Sequence, residues 1–523
     1  MNRRTFIKNT VAASIGLPLM INGSPLRAFS RHLLFKSIDP LSDRVLVLIQ
    51  LNGGNDGLNM VLPLDQYDKL ANVRSNILIP EKQILTLSQK TGIHPAMSGL
   101  KNAYDEGQVC IVQNVGYPDQ NRSHFRSTDI WQTGSASSEV INTGWLGRFF
   151  DSRIIDYPNG YPNADAPDPF ALTVGNIISE TCQGVRANYS LAVQDPLTQS
   201  TLFESDMEYQ DTSACYDKEL AYVMTAISQT NAYGGVITSA AEKGSNLVEY
   251  PENNLLAQQL KTIAQLISGG LGTKVYVANL GGFDTHANQV EEDTTTIGRH
   301  ANLLGLLSEA ISIFLHDLTL QNLNERVVGM TYSEFGRRIR SNGANGTDHG
   351  SAAPLIVFGS CVNSTILGDN PVIQTEVHPQ EGVAMQYDFR SVYGSLLHQW
   401  FDVPIEEVKT VLFDGFSEIP LIAGCDNSTS IDEDQSLQKE SVFICYPNPS
   451  KGLTTIRFNS FGEQIQISIF NNIGYEVTRL QDGFLDEGIH ERLFHSGHLP
   501  PGNYHVHLRT PNRQQTTNII IIR

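Results

Sequence analysis

Carboxylates and imidazoles recur directly after apolar runs in this chain, and such side chains are the ones that hold divalent cations. Asp56 lies in Asn52-Gly53-Gly54-Asn55-Asp56-Gly57, and Asp284 and His286 in Gly281-Gly282-Phe283-Asp284-Thr285-His286. Glu334 lies in Ser333-Glu334-Phe335-Gly336-Arg337, and His349 in Gly346-Thr347-Asp348-His349-Gly350. Oxygen and imidazole donors of this kind suit Zn, Mn, Mg or Ca. Hydrolysis of a phosphate or sulfate ester needs an activated oxygen nucleophile and cationic stabilisation of the transferred group. Two metals roughly 4 Å apart can provide both. Ser123 is the nucleophile candidate. Arg122-Ser123-His124 opens a helix-like stretch running to Gly134, and a helix start polarises a serine and binds anions. Arg122, His124 and Arg126 then flank an anionic substrate, and Arg337 offers a planar fork for phosphate or sulfate.

Each residue also has a reading that needs no ligand. Asn-Asp-Gly around Asp56 suits a turn. Asp284 and His286 form a satisfied loop pair on their own. Glu334 pairs with Arg337 or Arg338 at helical spacing, His349 serves a glycine-flanked turn, and Ser123 is a favoured N-cap.

The elements that would gather these residues are strands. Val45-Leu46-Val47-Leu48-Ile49, Val275-Tyr276-Val277 and Val327-Val328-Gly329-Met330-Thr331 are continuous apolar runs ending in the polar clusters. Such runs indicate strands buried on both faces of a parallel sheet, and ligands sit beyond the carboxyl ends of those strands. Val109 to Gln113 and Leu355 to Phe358 are further strand candidates. Leu303, Leu304, Leu307, Ile311, Phe314 and Leu318 recur at three and four residues, which predicts a helix over about Ile297 to Leu318. It follows the Asp284 strand as a crossover helix should. The alternation predicts a doubly wound α/β domain over about 43–423. Prolines, glycines and polar residues weaken the pattern over 151–251, which is expected to be an insertion or cap over the sheet edge.

With 523 residues the chain has room for more than one domain, and a net charge of -19 argues against non-specific nucleic-acid binding. Met1-Asn2-Arg3-Arg4-Thr5-Phe6 precedes a short uncharged segment and resembles a twin-arginine export signal over residues 1–30. That export route carries folded proteins, so a metal can be loaded first, with the twin-arginine translocase as partner. No other segment reads as long and apolar enough to span a membrane. The six cysteines include no Cys-x-x-Cys pair, and Cys182 with Cys215 is the first disulfide to test.

Small and acidic residues over 424–441 form a linker. Beyond it, runs such as Ile465 to Phe470 and Tyr504 to Leu508 alternate with period two between Pro/Gly turns, predicting a small all-β sandwich over 442–523. Tyr446-Pro447-Asn448-Pro449, Ile469-Phe470-Asn471-Asn472-Ile473-Gly474 and Leu499-Pro500-Pro501-Gly502-Asn503-Tyr504 together resemble the type A sorting domain of the type IX secretion system. That resemblance implies passage across the outer membrane, then release or attachment at the cell surface.

The main domain resembles a bacterial family, domain of unknown function 1501, related to the alkaline phosphatase and sulfatase superfamily. The likeness rests on the four clusters above, on Arg122-Ser123-His124-Phe125 and on Tyr387-Asp388-Phe389-Arg390. It implies an alkaline phosphatase-like sheet in which Asp284, His286 and His349 line one metal, Asp56 and Glu334 line another, and Ser123 is the nucleophile. Where the superfamily commonly has Asp-His, this chain has Glu334-Phe335. Either His124 or another group replaces the missing imidazole, or one metal is held, or the site is degenerate. The expected function is an exported, metal-dependent hydrolase of phosphate or sulfate esters. The alternative is a non-catalytic surface binding or assembly protein.

Overall fold

The computed structural model describes residues 19–21, 24–26, 43–154, 156–198 and 215–425, then most of 443–522 apart from 447–449, 461, 472–474, 487, 498 and 511–513. The bulk of the export segment, almost all of the linker, most of the Tyr446-Pro447-Asn448-Pro449 motif and the Asn472-Ile473-Gly474 turn lie outside the described residues. The chain divides into two compact units, residues 1–427 and 428–523.

In the first unit the apolar runs become strands because both of their faces are covered. On β1 (Val45–Asn52), Val45, Val47, Ile49 and Leu51 enter one core while Leu46 and Leu48 enter the other. Both sets are excluded from water, as a strand in a double-sided sheet requires. The other strands of its sheet are β2 (Val109–Gly116), β3 (Ala171–Val174), β4 (Ser190–Val193), β5 (Val275–Gly281), β6 (Val327–Tyr332), β9 (Ala353–Phe358), β10 (Ile366–Leu367) and β11 (Tyr387–Asp388). Between β6 and β9 lies a separate hairpin, β7 (Arg337–Ser341) with β8 (Thr347–His349). The nine-stranded sheet runs β10-β2-β9-β6-β1-β5-β3-β4, with β11 beside β2. It is parallel throughout except at β9, which is antiparallel to β6 and β2.

Helices cover both faces. Helices α1 (Ser98–Asp105), α3 (Cys215–Lys243), α4 (Leu255–Ser268) and α5 (Arg299–Leu320) pack into the first core; α2 (His124–Thr133) and α6 (Phe389–Phe401) pack into the second. Helix α4 shows why such segments are helical. Leu256, Leu260, Ile263 and Ile267 form one buried stripe, and the Asn254 side chain caps the amide of Ala257 at 3.1 Å. This is the doubly wound, mainly parallel α/β architecture that the sequence predicts, and α5 is the predicted crossover helix.

Three sequence expectations are corrected. The 151–251 segment contributes to the sheet itself: among its described residues, β3 and β4 are the two outermost strands at one edge, both parallel. They are only four residues each, too short for a periodic signal. Cys182 is a buried free thiol, and among the described residues a disulfide joins Cys361 to Cys425. Helix α5 is long and apolar enough to cross a membrane, yet that apolarity covers the sheet and packs against α4 and α1.

The second unit holds two antiparallel sheets, one of three strands and one of four. Ile456, Phe458 and Phe494 from the first share a core with Ile465, Ile467, Ile469, Val506 and Leu508 from the second. Alternation with period two puts every second residue inward.

A candidate metal centre at the strand ends

The loops after β1, β5 and β6, the hairpin β7/β8 and the start of α2 meet at the carboxyl end of the sheet. Close approach explains the glycines. Gly53 sits at φ 121°, and a Cβ there would lie 2.3 Å from the Asp284 amide nitrogen; Gly54 sits at φ 80° against the Phe335 ring. His349 pairs across the hairpin with Arg337.

Three imidazoles surround one carboxylate oxygen. Asp284 Oδ1 lies 3.2 Å from His286 Nε2, 3.3 Å from His349 Nε2 and 3.5 Å from His124 Nε2. His124, Asp284 and His349 offer ligand atoms within 4.8 Å of one another. The site is open to solution, with the Asp284 and His286 side chains 47% and 45% exposed.

Each ring is held from behind. His124 Nδ1 meets Glu334 Oε1 at 2.7 Å, His286 Nδ1 meets Asp348 Oδ1 at 3.0 Å, and His349 Nδ1 meets the Arg122 carbonyl at 2.8 Å. Carbonyls and ionised carboxylates only accept, so each Nδ1 carries the proton and each Nε2 presents a lone pair. Metal-binding histidines are oriented in this way. Two further observations fit a cation. His286 Nε2 and His349 Nε2 face each other at 2.9 Å, which sets two lone pairs against one another. His124 Nε2 is buried and makes no hydrogen bond. Burial holds the His349 pKa below the ordinary imidazole value, with Arg337 and His124 adding to the effect against the Arg122 carbonyl and Asp284, so a proton is a poor substitute there. Burial raises the Asp284 pKa, but Arg337 and the histidines outweigh it and keep the carboxylate ionised.

The other sequence candidates occupy different positions. Glu334 is buried behind His124, with Oε1 also accepting from the Gly53 amide at 2.9 Å. Asp56 is not among the converging ligand atoms. Its carboxylate is ion-paired to Arg74 at 3.0 Å, both side chains at most 1% exposed, and accepts from Gln289 at 2.7 Å. Arg337 does not present an open fork. It is buried and donates to the carbonyls of Gly53, Gly54, Thr347 and Phe283 and to Asp284 Oδ1, tying the loops together. Ser123 is the exposed N-cap of α2, makes no side-chain cap bond, and stands between His124 and Arg122. Arg122 donates to the Gln380 carbonyl, and Arg126 pairs with Asp129. Phe335 is buried with its ring 5.0 Å from His124 and 4.6 Å from His349. The departure from Asp-His therefore puts an apolar wall inside the cluster. Asp348 was missed as a functional residue; its place one residue before His349 in a turn-like motif was the only signal.

Beneath the β1 loop, His300 and His94 are each 1% exposed. His300 Nε2 donates to Asn55 Oδ1 at 2.9 Å, and His94 Nδ1 accepts from the Ala96 amide. Burial depresses their pKa values to about 4 and about 3. The unfolded chain therefore binds more protons between about pH 4 and 6.5, and stability is complete above that window and lost as pH falls through it. The two groups together are expected to cost the first unit about 3 kcal/mol between pH 6.5 and 5, measurable by urea unfolding.

Among solved structures, the chain is similar to the PsFucS1 sulfatase from Pseudoalteromonas sp., with 10% identity, 87% of this chain and 84% of that one covered, and a TM-score of 0.32. It is similar to an alkaline phosphatase superfamily protein from Vibrio parahaemolyticus (9%, 92% and 82%, TM-score 0.29) and to a phosphonate monoester hydrolase from Silicibacter pomeroyi (10%, 91% and 89%, TM-score 0.28). At such scores these likenesses carry no argument about the site. No curated protein matches the sequence. Residues 444–523 match the secretion system C-terminal sorting domain, which marks the chain for secretion to the cell surface or beyond. Residues 43–391 match the family described as protein of unknown function DUF1501, and the chain belongs to that family.

Proposed function

We propose that this protein is an exported, metal-dependent hydrolase of phosphate or sulfate esters. The observation that carries the reading is the convergence of three Nδ1-anchored histidines on Asp284, with the buried His124 Nε2 lacking a hydrogen-bond partner. His124, His286, His349 and Asp284 would hold a divalent ion, and their mixed nitrogen and oxygen donors suit Zn or Mn better than Mg or Ca. When bound, such an ion supplies Lewis-acid stabilisation of the transferred group and lowers the pKa of an attacking oxygen. Glu334, Asp348 and the Arg122 carbonyl fix the rings. Ser123 would supply the attacking Oγ, with the free amides of the α2 start facing the anionic group. The Arg122 guanidinium, half-buried and with donors beyond its bond to Gln380, would draw the ester in. Export would begin at the twin-arginine translocase and end at the type IX machinery that reads the tail.

Ser123→Ala is expected to reduce turnover of the responsive ester at least ~10³-fold, as loss of a nucleophile does, with metal content unchanged. A panel of phosphate and sulfate esters with several divalent ions finds that ester, and undiminished turnover would exclude Ser123. A second reading, a metal-binding surface protein without turnover, is favoured by the capture of Asp56 by Arg74, which withdraws a carboxylate from any second metal. A metal-loaded chain that turns over no ester in the panel would support it.

A further inference from the structure

A cleft of about 980 Å³ opens beside the histidine cluster, at the upper end of the ~300–1,000 Å³ range of ligand pockets. Asn52, Thr173 and Asn279, near the carboxyl ends of β1, β3 and β5, form its floor. Helix α2 forms one wall through Thr128 and Gln132, and α4 forms another through Gln258 and Gln259. Its proximity to the cluster follows from two chain connections. His124 begins the same helix one turn before Thr128, and Gly53, whose amide bonds Glu334, follows Asn52.

The chemistry of the lining is distinctive. Among the described residues around the cleft only Asp195 and Lys261 are charged. Carboxamides and hydroxyls are the most numerous side chains, interleaved with exposed apolar ones at Ile177, Ile178, Leu197 and Leu255, a mixed lining that suits the alternating C–H and hydroxyl faces of a sugar. Several amides serve the fold: Gln259 brackets the main chain of Asn279, and Gln258 holds the Tyr250 and Pro251 carbonyls. Thr128, Gln132, Asn176 and Gln194 make no side-chain hydrogen bond among the described residues. A carboxamide carries donors and acceptors on one planar group, and a sugar ring presents neighbouring hydroxyls that each donate and accept. A polyanion would need a basic lining.

An aromatic ring completes the arrangement. Phe125 is 90% exposed. It precedes Thr128 and Gln132 by three and seven residues, so it lies on the helical stripe that lines the cleft, one turn nearer the cluster. A large apolar ring left in water gains by covering its face, and the C–H face of a pyranose is suited to it. We propose that the cleft binds the neutral sugar backbone of a glycan, with Phe125 as stacking platform and Gln132 as hydroxyl reader, so that the ester presented to the cluster is a substituent on that glycan. The placement of the ester rests on the hydrolase reading; the binding of the backbone does not.

The test is calorimetric titration of the full secreted chain, wild type and Ser123→Ala, with a panel of neutral and sulfated oligosaccharides and of extended peptides. Both proteins should bind at least one oligosaccharide. Phe125→Ala and Gln132→Ala should each weaken it ~10-fold without lowering the melting temperature, while Phe125→Tyr restores it. Failure of every oligosaccharide to bind, binding indifferent to both alanine variants, or capture of peptides in place of sugars overturns the proposal. Sugar binding without ester turnover would sink the hydrolase reading alone.

Discussion

His349→Ala is expected to strip the chain of its divalent ion while leaving the first unit folded. The ring is exposed enough that its loss opens no sealed cavity; its Nδ1 donates to the Arg122 carbonyl, and its Nε2 faces Asp284 and His286 without a proton to share. Removing a residue that merely orients a ligand costs ~10–100-fold in metal affinity, so deleting a ligand should cost more than ~100-fold. Glu334→Gln belongs to the milder class: Gln still accepts from His124 Nδ1 but lacks the charge that strengthens the imidazole as a donor. The effect on stability should change sign with the ion. In chelator, His349→Ala removes the 2.9 Å confrontation with His286 Nε2 and should be neutral or slightly stabilising. With zinc at 100 times its dissociation constant, the wild type gains about 2.7 kcal/mol that the variant cannot. Elemental analysis and melting curves with and without chelator read both effects. Equal metal content in wild type and variant, or none in either, would remove the metal centre and the hydrolase reading with it.

What the sequence disclosed about this site was residue type and approximate position in an element. It could not disclose the direction in which a loop side chain points. The runs ending at Asn52, Gly281 and Tyr332 are legible because a strand covered on both faces must be continuously apolar. The loops that follow them are then bound to share one end of the sheet. Arg337 reads the same whether its fork faces an anion or four carbonyls, and only the approach of Gly53, Phe283 and Thr347 decides for the latter. His124 was legible as an anion contact at a helix start and as one candidate to replace the imidazole absent at Phe335. Its role at the cluster depends on Glu334, 210 residues away, taking its Nδ1 at 2.7 Å. Short strands such as β3 and β4 carry too few residues for a period, so their place in the sheet depends on β3 pairing with β5 and β4 with β3, which no local pattern encodes.

Asp56 separates the two readings of a carboxylate in that pattern most sharply, because they forecast opposite outcomes for Asp56→Ala. As a ligand, its loss would empty a metal site and spare the fold. In the structure it is the counter-ion of Arg74, a guanidinium with 0% side-chain exposure whose other donors go to the Ile339 and Arg338 carbonyls and to Asn59. Burial raises the Asp56 pKa, but Arg74, His300 and Gln289 outweigh it and hold the carboxyl below its ordinary value. Its contribution is therefore complete above about pH 4 and lost as pH falls through the depressed folded value. Removing one partner of such a pair leaves the other charged, dry and unmatched, at a cost of about 3–5 kcal/mol. Asp56→Ala should accordingly lower stability by that amount at pH 7 and leave the metal content of the surviving folded protein at the wild-type level. Unfolding curves and elemental analysis on one preparation distinguish the cases. A variant of wild-type stability with reduced metal would return Asp56 to the ligand set and restore a second cation to the site.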